Sequence, residues 1–147
     1  MPKRPLPRVQ AAIAVIEQDG GYLVSRRSLQ AHVGGCWEFP GGKRRVGESW
    51  QACLKRELRE ELGVGVQVGR RLACLRFSYP DRRVCLQAFR CRVISGVPAP
   101  LASRQLRWVS ARQLKRLRFP PANRPLLEEL TRRRRLPRRG RRAILAA

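Results

Sequence analysis

Residues 42–64 read GKRRVGESWQACLKRELREELGV, a loop, a helix with clear start and stop signals, and a second loop. Ser49 is a residue type that caps helix N-termini, and Gly63 stands where helices commonly stop, so the segment between them is predicted as helix. At about 100° per residue, Glu60 lies at about 300° and Glu61 at about 40° from Glu57, which puts three carboxylates on one face within a turn. Leu54, Leu58 and Leu62 follow one another at i+4 and form the neighbouring apolar row. Any fold for this chain must bury those leucines and leave the carboxylates beside the buried seam.

The chain has 33 Lys and Arg against 10 Asp and Glu, a net charge of +23, and five of its acids (Glu38, Glu48, Glu57, Glu60 and Glu61) fall within residues 38–61. Carboxylates this close resist shared ionisation. Lys55, Arg56 and Arg59 offset part of the repulsion, and a divalent cation would remove it. Mg²⁺ takes one or two carboxylates together with water and substrate phosphates, and a pair of such ions clamps the attacking and leaving oxygens at phosphorus. Gly41 and Gly42, just upstream, supply bare backbone for close approach to a metal or phosphate. Residues 56–61 alone are also explained by a solvated helix face; the spacing around them is not.

From Gly42, five residues lead to Glu48, seven more to Arg56 and Glu57, and Glu60, Glu61 and Gly63 follow, with Leu58 and Val64 at the apolar places. This pattern resembles the Nudix box, G-x5-E-x7-R-E-U-x-E-E-x-G-U, at every defined position. The resemblance implies an α/β/α sandwich around a mixed sheet, with the box forming loop–helix–loop. It also implies hydrolysis of a nucleoside diphosphate linked to another group, with Mg²⁺ or Mn²⁺ and water. By motif position, Glu57, Glu60 and Glu61 are expected as metal ligands, with the carbonyl of Gly41 as a further one. Arg56 is expected to orient Glu57, and Glu48 to brace the helix through Arg56.

The rest of the chain alternates strands and short helices, which indicates an α/β or α+β domain. Strands are predicted at 9–17, 22–26, 37–39, 64–68, 71–77, 84–93 and 106–109. Asp19 and Gly20 turn the first hairpin, and helices are predicted at 111–117 and 126–134. Trp37 and Trp108 are expected in the core. Residues 1–8, with three prolines, read as a loose basic lead-in, 9–130 as the domain, and 131–147 as a disordered arginine-rich tail with eight arginines between 132 and 142.

Further segments are similar, in order, to MutT-type hydrolases of oxidised nucleotides: SRR at 25–27, Ala31-His32, WEFPGGK at 37–43, YPDR at 79–82 and FPPAN at 119–123. Those enzymes convert 8-oxo-dGTP to 8-oxo-dGMP and pyrophosphate. The resemblance implies that Asn123 reads the purine edge, where an amide can both donate and accept; the alternative is that Asn123 caps the last helix. It also implies base-region contact by Arg27, apolar contact by Phe39 and Tyr79, phosphate contact at Gly42 and Lys43, and a place near substrate for His32. One position departs: Ala102 stands where MutT-type enzymes carry a further metal-binding carboxylate, and no acid occurs from 82 to 127.

Two other functions remain open at this stage. A W-E-F-x-G-G-K loop also occurs in pyrimidine triphosphate hydrolases, so CTP or dCTP is an alternative substrate. A nucleic-acid-binding protein on the same scaffold is suggested by the +23 charge and the arginine tail. No stretch approaches the ~18 apolar residues of a membrane span, and nothing near the N-terminus forms the apolar core of a signal peptide. The five cysteines form no C-x-x-C pair, which argues against a disulfide framework or zinc site. A reduced, cytoplasmic domain is the expectation.

Overall fold

The computed structural model describes residues 2–31 and 34–133. Seven strands form one mixed sheet, with order β3-β2-β1-β6-β5; β4 pairs with β1, and β7 with β2. The strands are β1 (Arg8–Gln18), β2 (Gly21–Arg26), β3 (Trp37–Glu38), β4 (Gly41–Lys43), β5 (Gly65–Tyr79), β6 (Arg82–Ser95) and β7 (Leu106–Ser110). The helices are α1 (Trp50–Leu62), α2 (Ala111–Leu114) and α3 (Arg124–Arg133), the last preceded by a 3-10 turn, Pro121–Asn123. Strand β1 runs parallel to β6 and every other pairing is antiparallel.

The apolar run of β1 has no alternation because both of its faces are covered. Ala12, Ala14 and Ile16 pack against Leu54, Leu58 and Leu62 of α1. Ile13 and Val15 face the other way, into the core that holds Leu114, Leu126 and Leu130 of α2 and α3. The expected α/β/α sandwich around a mixed sheet is therefore the architecture of the chain.

Helix α1 has the predicted ends. The Ser49 side chain accepts from the Ala52 N–H at 3.0 Å, and the Gly63 N–H donates to Arg59 O at 3.0 Å. Ser49→Ala should remove that cap at a cost of about 1 kcal/mol, lowering Tm by about 2–4 °C; thermal melting monitored by circular dichroism checks this.

Four expectations are corrected. Residues 41–43 form strand β4, paired with Ala11, Ala12 and Ile13 of β1, where a loop was expected. The two strands read at 64–68 and 71–77 are one strand, β5, irregular between Val68 and Ala73, where register shifts against β6 absorb the break. Helix α2 is a single turn, Ala111–Leu114, where 111–117 was expected; α3, expected at 126–134, spans Arg124–Arg133. Trp37 is buried, but Trp108 is 43% exposed, because β7 pairs only with β2 among the described residues and lies at the sheet margin. Residues 134–147, which hold most of the arginine-rich tail, lie outside the described residues. No described helix is long and apolar enough to cross a membrane.

Candidate active site

The helix–strand contact between α1 and β4 creates the site. Gly41 has φ 151°, and a Cβ there would collide with the Ala12 carbonyl of β1. A Cβ on Gly42 would collide with the Glu57 carboxylate. The two glycines thus let β4 lie against β1 on one side and against the acidic face of α1 on the other.

One arginine organises the acids. Arg56 forks onto Glu48, Nε to Oε2 at 2.7 Å and Nη2 to Oε1 at 2.9 Å, in the bidentate geometry that a guanidinium favours. Its Nη1 donates to Glu57 Oε1 at 2.8 Å and reaches Glu60 Oε2 at 3.5 Å, while Nη2 also donates to the Lys43 carbonyl at 3.0 Å. Glu48 takes a further bond from the Arg45 N–H, and the Arg56 bond followed by this one holds its carboxyl down to about 2. This frame ties the loop before α1, the end of β4 and the carboxylate of Glu57 into one unit.

The three box carboxylates do not share one environment. Glu57 is mostly covered and lies over Gly42. The Glu60 side chain is 54% exposed. Glu61 points inward, where its Oε2 accepts the Gly41 N–H at 3.2 Å. Burial, with added repulsion from Glu57 and Glu38, pushes the Glu61 carboxyl up to about 8 against the pull of that N–H. Among the described residues no three His, Cys, Asp or Glu side chains converge as a ready-made metal cage.

Beside this cluster a cleft of about 370 Å³ opens over the sheet. Of the residues singled out in the sequence, Arg27, Phe39, Gly41, Gly42, Lys43, Glu61, Tyr79 and Asn123 line it. Glu48, Arg56, Glu57 and Glu60 are not among its lining residues; Glu57 lies over Gly42 and Arg56 donates to the Lys43 carbonyl, and Gly42 and Lys43 do line it. His32 lies outside the described residues. The cleft floor, from Val9, Ala11, Val84 and Leu86, escaped the sequence reading; alternate positions along β1 and β6 carry it, but the continuous apolar run of β1 hides them. Arg82, inside the matched segment at 79–82, also lines the cleft.

Two further features shape the cleft. Arg27 Nη1 pairs with Glu38 Oε2 at 2.6 Å, and burial raises the Glu38 carboxyl despite that partner. Ala102 lines the cleft as well, so the position at which MutT-type enzymes carry a carboxylate faces the site but supplies none.

At the far end, Asn123 is 5% exposed. Its Nδ2 donates to the Pro120 carbonyl over 3.5 Å, so the amide folds back on its own turn, and no bond from it caps α3 among the described residues. The Tyr79 hydroxyl accepts the Ala122 N–H at 3.3 Å and fastens this turn to the end of β5. Phe39 is buried against Phe119, with ring centroids 5.3 Å apart, and joins the acidic end of the cleft to the Asn123 end.

A mixed sheet between helices, a glycine pair against an acidic helix and an open cleft beside them define a Nudix hydrolase, and the chain belongs to that family: the NUDIX domain model matches residues 11–129. It is a nucleotide pyrophosphohydrolase, of a family that generally uses divalent metal ions. The chain is 31% identical over 128 residues to the 8-oxo-dGTP diphosphatase of Escherichia coli K12, covering 86% of this chain and 99% of that protein. It is 35% identical over 120 residues to the CTP pyrophosphohydrolase of the same organism, covering 82% and 89%. The crystal structure of the MutT protein from Methanosarcina mazei Go1 superposes with a TM-score of 0.78 at 25% identity, covering 91% of this chain and all of that one.

Proposed function

We propose that the chain is a Mg²⁺-dependent pyrophosphohydrolase of purine nucleoside triphosphates, with 8-oxo-dGTP as substrate and the monophosphate and pyrophosphate as products. The observation that carries this reading is the buried amide of Asn123, which lines the same cleft as the glycine–carboxylate end. An amide offers both a donor and an acceptor, which suits the O6 and N7–H edge of an oxidised guanine. The apolar floor of Val9, Ala11, Val84 and Leu86 suits the face of the base.

The donor set fits a divalent cation. Glu57 and Glu61 are mostly covered carboxylates next to each other and to bare glycine backbone, and the half-buried, repelled Glu61 is the kind of group that such an ion relieves. Glu57, Glu60, Glu61 and the Gly41 carbonyl would hold the metal. When bound, it neutralises charge on the phosphates and activates water for attack.

In this reading water adds to the β-phosphorus and the bond to the oxygen that bridges to the α-phosphorus breaks. The bridging oxygen leaves with the nucleoside monophosphate, and the oxygen from water stays on pyrophosphate. Lys43 balances phosphate charge at the glycine end of the cleft. Arg56 keeps Glu57 aimed, and Glu48 keeps Arg56 in place. With Ala102 in the cleft, the carboxylates available around the reacting groups are those of the box and Glu38.

A panel of 8-oxo-dGTP, dGTP, CTP and dCTP with Mg²⁺ and with Mn²⁺, read as released pyrophosphate and monophosphate, tests the assignment. 8-oxo-dGTP should have the highest kcat/KM. Faster cleavage of CTP or dCTP would transfer the chain to the pyrimidine reading, which the similarity to a CTP pyrophosphohydrolase favours. Turnover with Mn²⁺ but not Mg²⁺ would overturn the choice of metal.

A further inference from the structure

The sheet carries a second concavity, of about 440 Å³, at the start of β1 and the adjoining ends of β5 and β6. The strand register defines its floor. Arg8 lies across from Arg83, which lies across from Ser78; two residues on, Gln10 lies across from Cys85, which lies across from Arg76. Residues paired in this way stand on one face, and alternate residues share it. That face is the one on which Ala12, Ala14 and Ile16 pack against α1. The catalytic cleft is built on the other face, from Val9, Ala11, Val84 and Leu86. Val9 and Val84 border both hollows, whereas Arg8, Arg76 and Arg83 lie outside the cleft lining.

Helix α1 stops short of this end of the sheet, and Arg8, Arg76 and Arg83 are exposed there. Among the described residues no carboxylate pairs with any of the three. Arg44 extends the group: its Nη2 donates to Gln10 Oε1 at 2.6 Å, and its guanidinium lies 4.7 Å from the centre of the Trp50 ring. Four guanidinium groups thus border a groove three strands wide, about 10 Å across. Among the described residues none of those lining this concavity is acidic.

We propose that this groove binds the phosphodiester backbone of single-stranded nucleic acid. Guanidinium forks pair with phosphate oxygens bidentately, and a basic groove that follows the backbone is how sequence-tolerant single-strand sites work. The width fits one strand. The groove lining includes Gln10, Ser78, Cys85 and the exposed ring of Phe77, a stacking face that any base can use, so binding is independent of base sequence. The arginines of the site lie outside the lining of the nucleotide cleft, and they add a surface on the folded domain to any contribution of the arginine-rich tail.

The test uses the full chain and a fluorescent single-stranded oligonucleotide titrated over a range of salt. Arg8, Arg76 and Arg83 are changed together to alanine, and Arg112, Lys115 and Arg116 are changed together as a control that removes equal charge elsewhere. Each lost phosphate contact reduces the slope of log K against log salt by about 0.7 on a single strand, so the groove variant should lose about 2 in slope and tenfold or more in affinity. Nucleotide hydrolysis and Tm should stay at wild-type values. R8A and R76A alone should each reduce the slope by about 0.7, which keeps the proposal testable if the triple alanine variant folds poorly. Equal losses in the groove and control variants would overturn the proposal. So would an unchanged groove variant, tighter binding of duplex than of single strand, or an effect of the groove substitutions on phosphatidylserine vesicles alone.

Discussion

Glu57→Gln is expected to lower turnover by about 10²-fold or more while the protein remains folded. The substitution preserves length, volume and helix propensity, so α1 should still pack through Leu54, Leu58 and Leu62. It removes the negative charge that sits over Gly42 and is held by Arg56 Nη1 at 2.8 Å. A neutral amide can still accept from Arg56, but it binds a divalent cation poorly, and the two Glu48 bonds keep the arginine in place. The predicted signature is a large fall in kcat at saturating Mg²⁺, with a circular dichroism spectrum and melting curve close to wild type. Turnover within a few-fold of wild type in the folded variant would take the box out of the mechanism. A collapsed melting transition would show that Glu57 is chiefly a structural partner of Arg56.

The same region shows what can be read from residues and what cannot. Helix α1 is legible because three local signals agree: a serine cap, leucines at i+4 and a terminal glycine. The carboxylate cluster is legible because the angular period of a helix is known in advance. Its inequality is not. Glu61 is half-buried against the Gly41 N–H while the Glu60 side chain is 54% exposed, and that difference comes from where β4 lies across the helix. Strand β4 has two glycines in three residues and no period of its own; it exists because Ala11, Ala12 and Ile13 of β1 offer it a partner. Trp108 fails as a core expectation for the same kind of reason, since its exposure depends on β7 being at the sheet margin rather than on its own chemistry.

The Asn123 end of the cleft is a second case. FPPAN marks a turn with an asparagine but does not say whether the amide serves a helix or a ligand. The chain enters α3 through a 3-10 turn, which aligns the backbone without a side-chain cap and leaves the Asn123 amide lining the cleft. The opposite wall was hidden because β1 is apolar on both faces. Ala102 is the reverse case: its position opposite the box could be read by matching Trp108, and it does line the cleft.

The remaining large effect is at Asn123. Asn123→Ala should reduce kcat/KM for 8-oxo-dGTP by roughly tenfold to a hundredfold and shrink its advantage over dGTP, because loss of a buried bond of this kind costs about 1–3 kcal/mol. The amide is 5% exposed, and among the described residues its side chain makes one bond, of 3.5 Å to the Pro120 carbonyl within its own turn, which leaves capacity for a base. A site built to pair with one pattern of donors and acceptors discriminates strongly, since the wrong base leaves the buried group unsatisfied. Stability should change little, because the turn is held by backbone bonds, Asn123 N–H to Pro120 O at 3.0 Å and Ala122 N–H to the Tyr79 hydroxyl at 3.3 Å. Measuring kcat/KM for both nucleotides beside a melting curve separates recognition from structure. A fall for 8-oxo-dGTP alone, at constant Tm, assigns the base edge to Asn123. Equal falls for both nucleotides with a lowered Tm would make it a structural residue of the turn, and an unchanged ratio would move base recognition to Arg27, Arg82 or the apolar floor.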